Sequence, residues 1–345
     1  MNSISKIFFV LGFCIAVASC SKNNPTSETP LNDYSEQYTK DLAAIDSYID
    51  THFMTFDSQY NVAFDTILPT TTNPSIRTDT AFQLKDTTVA EDGINYKIYF
   101  IKFREGGTLA NPGKRPTQAD SVHVAYRGTL LKGTNKQFDI AQTPIWFKLQ
   151  EVVTGWSHII PNFKTGSYTA ASGTTPASFS DFGAGVMFLP SGLAYYNFGA
   201  GIIPAYTPII FSFKLFELQY RDQDGDGIKS KDERALTDSN PLTRWKENPA
   251  TNTYKIVGGV QVVDIPFLDT DGDGVSNTYD IDDDGDNYLT KAETQKLPAD
   301  ITTASPLGHY PFNPTSSEPK GIPACGNVDF TSPTRLRKHL DPSCH

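Results

Sequence analysis

In the last third of the chain, carboxylates recur at the spacing a hard cation needs. The run DQDGDGIKSKDE sets Asp222, Asp224, Asp226 and Glu233 at positions 1, 3, 5 and 12, with Gly227 at position 6. Side chains at alternate positions can turn their oxygens toward one centre, and glycine permits the sharp reversal between them. This is the spacing of a calcium loop. A second run, DTDGDGVSNTYD, offers Asp269, Asp271, Asp273, Asn277 and Asp280. A third, DDDGDNYLTKAE, offers Asp282, Asp284, Asp286 and Glu293, with Asn287 in the place of the turn glycine. Structural calcium is the expected cofactor.

The 345-residue chain carries a formal net charge of −10, from 39 acidic against 29 basic residues, and the excess is concentrated in these loops. That balance argues against nucleic acid as a partner and for cation binding. The loops lack long amphipathic helices on their flanks, so the run resembles thrombospondin type 3 and related bacterial calcium repeats more than paired helical EF-hands. Between the first and second loops, YKIVGGVQVVDIP (Tyr254 to Pro266) reads as a hairpin. Beyond Pro298 the tail is rich in proline and threonine, and no fold is read for it.

The N-terminus has a different chemistry. Lys6 precedes an apolar run from Ile7 to Ala18, and the segment ends VASC at Cys20. A membrane-crossing helix needs about 20 apolar residues; this run is shorter and fits the core of an export signal. A cysteine directly after small residues resembles the bacterial lipoprotein signal, which implies that Cys20 becomes the lipidated first residue. The protein is then expected in the cell envelope, as an outer-membrane lipoprotein facing periplasm or cell surface, held to the membrane through its lipid. The polar SKNNPTSETP that follows suits a tether. Cys14 leaves with the signal, so Cys325 and Cys344 remain, and in an oxidising compartment they are most simply a disulfide. An alternative stays open, because Cys325, Phe330, Leu336, His339 and His345 echo the second half of a zinc finger, although no second cysteine lies close to Cys325.

The middle of the chain carries the most specific pattern. VHVAYRGTLLKG opens it at Val122, followed in order by QFDIAQTP, QEVVTGWSHIIPNFKTG, FLPSGLAYY, GIIP and IIFSFKLFEL, which ends at Leu218. This ordered set resembles the FKBP family of peptidyl-prolyl cis-trans isomerases. The resemblance implies an α+β fold, a strongly bent antiparallel sheet around one short helix. It implies a catalyst that acts on proline-containing unfolded or exported polypeptides and needs no cofactor for turnover.

Rotation about a peptide bond faces a barrier of about 18–20 kcal/mol, and an X-Pro bond left alone exchanges over tens to hundreds of seconds. The planar amide is the more charge-separated form, so an apolar cavity that grips the proline ring favours the twisted transition state. By the resemblance, that cavity comprises Tyr126, Phe138, Asp139, Val152, Val153, Trp156, Tyr195, Ile203 and Phe211. Trp156 is expected near the start of the domain's helix, under the proline ring. Tyr195 is expected to donate to a substrate carbonyl, the amide of Ile203 or a neighbour to hold a second, and Asp139 to bond Tyr126 or orient the twisted carbonyl. The basic residue that many relatives place beside this aspartate is missing, Tyr196 replaces the usual glycine after the pocket tyrosine, and the segment Asn197–Gly201 is compact. Residues 167–185 are a long Gly-, Ser- and Thr-rich loop where the family runs quickly from helix to strand.

Around this domain the expected organisation is a signal peptide over 1–19, a tether over 20–32, a helical segment and linker over 33–92, the FKBP-like domain over 93–220, the calcium region over 221–298 and a disulfide-bearing tail over 299–345. Asp33 with Glu36 reads as a helix start with its capping partner. Tyr38, Leu42, Ile45, Ile49 and Phe53 then form an apolar stripe. It can pack on the FKBP-like domain or on a second copy as a homodimer. INYKIYFIKFREG, after Gly93, reads as the family's first strand. Two readings compete with the enzyme: a chaperone or surface-complex assembly module that binds proline segments without turnover, and a stiff calcium spacer capped by an inert domain.

Overall fold

Strands that are apolar on both faces build the centre of the main sheet. A computed structural model describes residues 31–132, 135–233, 255–257, 260–262, 269–302, 308–312, 320–332 and 335–344. The segment expected to be an export signal, Cys20 and His345 lie outside these residues. The fold from Asp33 onward is as follows. In chain order the elements are α1 (Tyr34–Thr51), β1 (His52–Phe56), β2 (Val62–Thr66), β3 (Leu84–Glu91), β4 (Ile94–Arg104), β5 (Ser121–Leu130), β6 (Gln137–Lys148) and α2 (Thr154–Ile159). They continue with β7 (Ser167–Thr169), β8 (Ser178–Ser180), β9 (Gly183–Leu189), β10 (Ile209–Gln219), β11 (Lys255–Val257), β12 (Val260–Val262) and α3 (Thr290–Glu293).

The six-stranded sheet runs β3-β4-β9-β10-β5-β6, antiparallel at every step. Alternation along β4 sends Tyr96, Ile98 and Phe100 to the α2 side and Tyr99 and Ile101 to the α1 side. β9 and β10 divide likewise, with Met187, Leu189, Phe211 and Phe213 on one face and Val186, Phe188 and Ile210 on the other. A sheet covered on both faces needs such near-continuous apolar strands. The expected mixed layout, an antiparallel sheet with few helices, therefore holds, with an added layer on the second face.

That layer is α1 with the β1–β2 hairpin. Asp33 caps the helix, its Oδ1 accepting from the amides of Ser35 and Glu36 at 2.9 and 3.1 Å. Ile45 and Ile49 are buried against Tyr99, Ile101 and Phe188, each contributing roughly 1.5–3 kcal/mol of burial. The chain's own sheet covers the stripe, so no second copy is needed for that purpose. Phe53 falls in β1, because the helix stops at Thr51. The sheet also begins earlier than the sequence boundary at 93: the whole of β3 pairs with β4, from Leu84↔Ile101 to Glu91↔Ile94. The long loop over 167–185 folds into the β7–β8 hairpin and the start of β9.

The C-terminal region joins at a buried corner. Asp120 accepts from the Thr117 amide and hydroxyl at 2.7 Å each and from the Arg221 amide at 3.1 Å. Gln223 donates to the Ala119 carbonyl at 3.1 Å and to Gln150 at 2.7 Å, and Gln150 donates to the Tyr279 hydroxyl at 2.9 Å. β11 and β12 pair as the expected hairpin, whose Gly258, Gly259 and flanks lie outside the described residues. The tail, for which the sequence offered no fold, packs with the loops: Tyr310 and Ile322 are buried with Ile228, and Phe312 and Phe330 lean on them. Cys325 and Cys344 form a disulfide with Cα atoms 5.4 Å apart. It consumes the thiols the zinc alternative requires, while His339 is buried beside the Phe312 ring, 5.3 Å away.

Candidate functional site

Trp156 is the third residue of α2 and only 3% exposed. Rings from three strands box its indole. Tyr126 of β5 stands edge-on at 5.3 Å between centroids, Phe211 of β10 at 5.2 Å, and Phe147 of β6 at 5.7 Å. Phe138 meets Phe211 edge-on at 5.4 Å. It can do so because its strand partner region carries Gly128, where a Cβ would lie 2.4 Å from the Phe138 ring. Edge-to-face rings set one another's orientation more sharply than aliphatic neighbours would. Val152, Val153 and Tyr195 pack, partly buried, on the same cluster, and Ile203 is buried within it.

Asp139 joins through a hydrogen bond from the Tyr126 hydroxyl at 2.5 Å. All nine residues taken from the FKBP resemblance are thereby brought to one face. Burial first, and then the bond to and charge of Asp139, push the Tyr126 phenol well above its ordinary range. Burial and the same charge raise Tyr195. Both phenols keep their protons at neutral pH and remain donors. Tyr126 spends its proton on Asp139, whereas the Tyr195 hydroxyl has no partner among the described residues.

The backbone donors differ from expectation. The Ile203 amide is occupied, donating to the Ala200 carbonyl at 2.8 Å within a tight turn. The Val153 amide, at the N-cap of α2 beside Trp156, donates to no group among the described residues. Backbone donors carry no residue signature, so sequence reasoning placed Val153 in the wall and missed its amide.

Sequence reasoning also missed the brace behind Tyr195. Asp41 of α1, 2% exposed, accepts from the Ser191 amide at 2.7 Å and hydroxyl at 2.5 Å, and from Gln37 Nε2 at 2.7 Å. Tyr34 stacks on Tyr196 at 4.2 Å, with ring planes 8° apart. Gln37 reaches the Tyr206 carbonyl at 3.4 Å, and the Tyr206 amide donates to the Tyr196 carbonyl at 2.6 Å. The helix thus holds the loop on both sides of Tyr195. An acid on the buried side of an amphipathic helix was the one signal available.

The acidic loops form a second candidate site. Asp222, Asp224 and Asp226 can each bring one oxygen within 4.8 Å of the others, as can Asp269 with Asp271 and Asp273, and Asp282 with Asp284 and Asp286. Gly227 takes φ +104°, as the turn requires, whereas Asn287 reaches φ +73° in the third loop without glycine. Asn277 points to its own loop, accepting from the Thr270 amide at 3.0 Å, and Asp280 accepts from the Asp282 amide at 2.9 Å. Both oxygens of Glu233, Asp284 and Glu293 are buried without a hydrogen-bond partner. Burial and neighbouring carboxylates push Glu293 up to about 8 and Glu233 up to about 11. Orphaned carboxylates in low dielectric are costly unless a cation faces them, and an all-oxygen set fits calcium.

Residues 113–216 match the family model described as FKBP-type peptidyl-prolyl cis-trans isomerase, and residues 223–322 match one described as BamM C-terminal. The second match replaces the likeness to thrombospondin repeats. Its span runs from the first loop into the tail, in keeping with their shared packing. The FKBP-type isomerase FkpA of Aeromonas hydrophila is 31% identical over 140 residues, 40% of this chain and 43% of that protein. FkpA of Escherichia coli strain K12 is 30% identical over 113 residues, 32% and 35% of the two chains. A crystal structure of a peptidyl-prolyl isomerase from Pseudomonas syringae pv. tomato is 26% identical, covers 41% of this chain and 84% of that one, and gives a TM-score of 0.29. The chain spans less than half the length of the curated relatives it matches. Its segment 113–216 is a domain of the FKBP-type peptidyl-prolyl cis-trans isomerase family.

Proposed function

We propose that the protein is a lipid-anchored prolyl isomerase of the cell envelope that acts on proline-containing segments of exported polypeptides, with a C-terminal region folded around calcium. The observation that carries the catalytic reading is the aromatic box round Trp156 with two unspent donors beside it, the Tyr195 hydroxyl and the Val153 amide. The box takes the proline ring, and the donors hold flanking carbonyls while the amide between them loses its planarity. No bond is made or broken. The apolar enclosure disfavours the planar, charge-separated ground state.

The test is a protease-coupled isomerisation assay. Wild-type protein is expected to accelerate exchange, and Tyr195→Phe to lower kcat/KM by about 2–10-fold, the worth of one net hydrogen bond of roughly 0.5–1.5 kcal/mol. Tyr195 is half-buried, so the substitution spares the fold. Trp156→Ala is the poorer probe, because truncating a core aromatic costs about 3–5 kcal/mol of stability. Wild-type exchange at the spontaneous rate, with proline peptides still bound, would leave a binding module instead of an enzyme.

Cys20 is proposed as the lipid attachment point. Each buried methylene supplies about 0.8 kcal/mol of membrane affinity, so Cys20→Ser is expected to lose lipid labelling and wash from membranes. Equal retention of the variant would contradict the anchor.

A further inference from the structure

Asp226 belongs to two groups of carboxylates. With Asp222 and Asp224 it makes the inward ring of the first loop. With Glu233 and Asp283 it makes another, again with one oxygen from each residue within 4.8 Å of the rest. Calcium–oxygen distances of about 2.3–2.6 Å put ligands on opposite sides of one ion at most about 5 Å apart. The second group therefore has the size of a cation seat in its own right.

Its side chains are the most enclosed acids in the region: Asp226 and Glu233 are each 2% exposed and Asp283 is 1% exposed. Both oxygens of Glu233, both of Asp283 and Oδ2 of Asp226 complete no hydrogen bond. Asn277 of the second loop approaches Asp283 without closing such a bond. Charge points the same way. Fully ionised, as cation ligands are, Asp222, Asp224, Asp226, Glu233 and Asp283 bring five negative charges together. One divalent ion in the first loop leaves three of them uncompensated in a buried setting, and a second ion leaves one.

We propose that a second cation, calcium by its all-carboxylate oxygen set, sits between the first and third loops, ligated by Asp283, by Glu233, the position-12 residue expected in the first loop's own set, and by Asp226, which it shares with the ion of that loop. The proposal rests on the calcium reading of the loops and extends it to an ion that no single loop contains. Asp283 lies off the alternating ring of its own loop, whose inward members are Asp282, Asp284 and Asp286. Its amide donates to the Thr290 hydroxyl at 2.9 Å, which turns the side chain toward the first loop. The ion ties together two segments about fifty residues apart in sequence. The Thr294 hydroxyl, donating to the Asp226 carbonyl at 3.1 Å, marks the same seam.

Calcium bound per chain, counted by native mass spectrometry and by calorimetric titration of the full protein, tests this. Wild type is expected to hold four ions, one for each of the three loops and one between the first and third. Asp283→Asn, nearly isosteric, is expected to hold one fewer; Asp284→Asn, in the ring of the third loop, is also expected to lose one; and the double variant is expected to lose two. Asp283→Ser serves as the second variant should the asparagine distort the seam. Three ions in wild type, or a double variant that loses only one, overturns the inter-loop site and leaves the calcium loops standing. No ion in wild type overturns the loops as well as this site.

Discussion

Replacing Asp41 with alanine is expected to lower isomerase activity on the order of 10–100-fold, although Asp41 touches no substrate. It is a positioning residue: its carboxylate fixes the Ser191 amide and hydroxyl, four residues before Tyr195. Small displacements of a positioned group can cost up to about 100-fold in rate. Alanine also strands buried donors at about 1–3 kcal/mol each, so part of the loss could be mere destabilisation. Asp41→Asn separates the two effects. Its amide oxygen accepts from Ser191 as before and its NH₂ donates to Gln37 after a flip of that side chain, which gives up only the long 3.4 Å bond to the Tyr206 carbonyl, so most of the activity is expected to return. A purely structural role would lower the amount of active enzyme at unchanged KM, whereas loss of the Tyr195 brace raises KM in properly folded protein. Activity in Asp41→Ala equal to wild type, at a temperature where both are folded, would remove the brace.

The same pair of variants has a signature in pH. Burial holds the Asp41 pKa above its ordinary 3.8, against the lowering effect of the Ser191 and Gln37 bonds. The folded state therefore binds this proton more tightly than the unfolded chain does. The stability contributed is fully present below about 3.8 and decays as pH rises through the raised value. Asp41→Asn does not titrate. Its stability relative to wild type is expected to rise across that window and then level off, as read by denaturant midpoints at successive pH values. A difference that stays flat from pH 3 to 8 contradicts the buried, ionising carboxylate.

The sequence made the pocket legible because its residues are of unusual type and fall in fixed order on strands that must be neighbours. Tyr126, Trp156 and Phe211 meet in space much as their motifs implied. Ring carboxylates were legible for a similar reason, since alternation within twelve residues fixes local geometry without knowledge of the rest of the chain. What escaped depends on distant packing. Nothing near Asp41 announces Ser191, and nothing near Asp283 announces Asp226 and Glu233. β1, β2 and β3 were passed over because short strands such as VAFDT and LKDTTVAE carry little apolar signal at the edges of sheets. The tail's core residues Tyr310, Ile322 and Phe330 are too scattered to show a period.

Removing calcium is expected to open the C-terminal region while leaving most of the isomerase activity. The loops bury many carboxylates and few apolar groups; their small core is Ile228, Tyr310 and Ile322. Without metal, like charges within 4.8 Å of one another repel by about 3–4 kcal/mol per pair at an effective dielectric near 20, more than so small a core offsets. Residues 269–293 should then become protease-sensitive in chelator and protected in millimolar calcium, as extracellular sites with affinities of about 10⁻⁴–10⁻³ M require. The Cys325–Cys344 disulfide closes a separation of 19 residues, worth about 3 kcal/mol against the unfolded state, so that end of the tail should resist longest. The pocket feels the change through Gln150, two residues before Val152, which bonds Gln223 and Tyr279. Those bonds are exposed and worth roughly 0.5–1.5 kcal/mol each, so the activity change should stay within about tenfold and the fold of β5 and β10 should be untouched. Equal protease resistance with and without chelator would show that the loops hold their shape with no cation. Complete loss of activity on chelation would show that the region supports the pocket through more than Gln150.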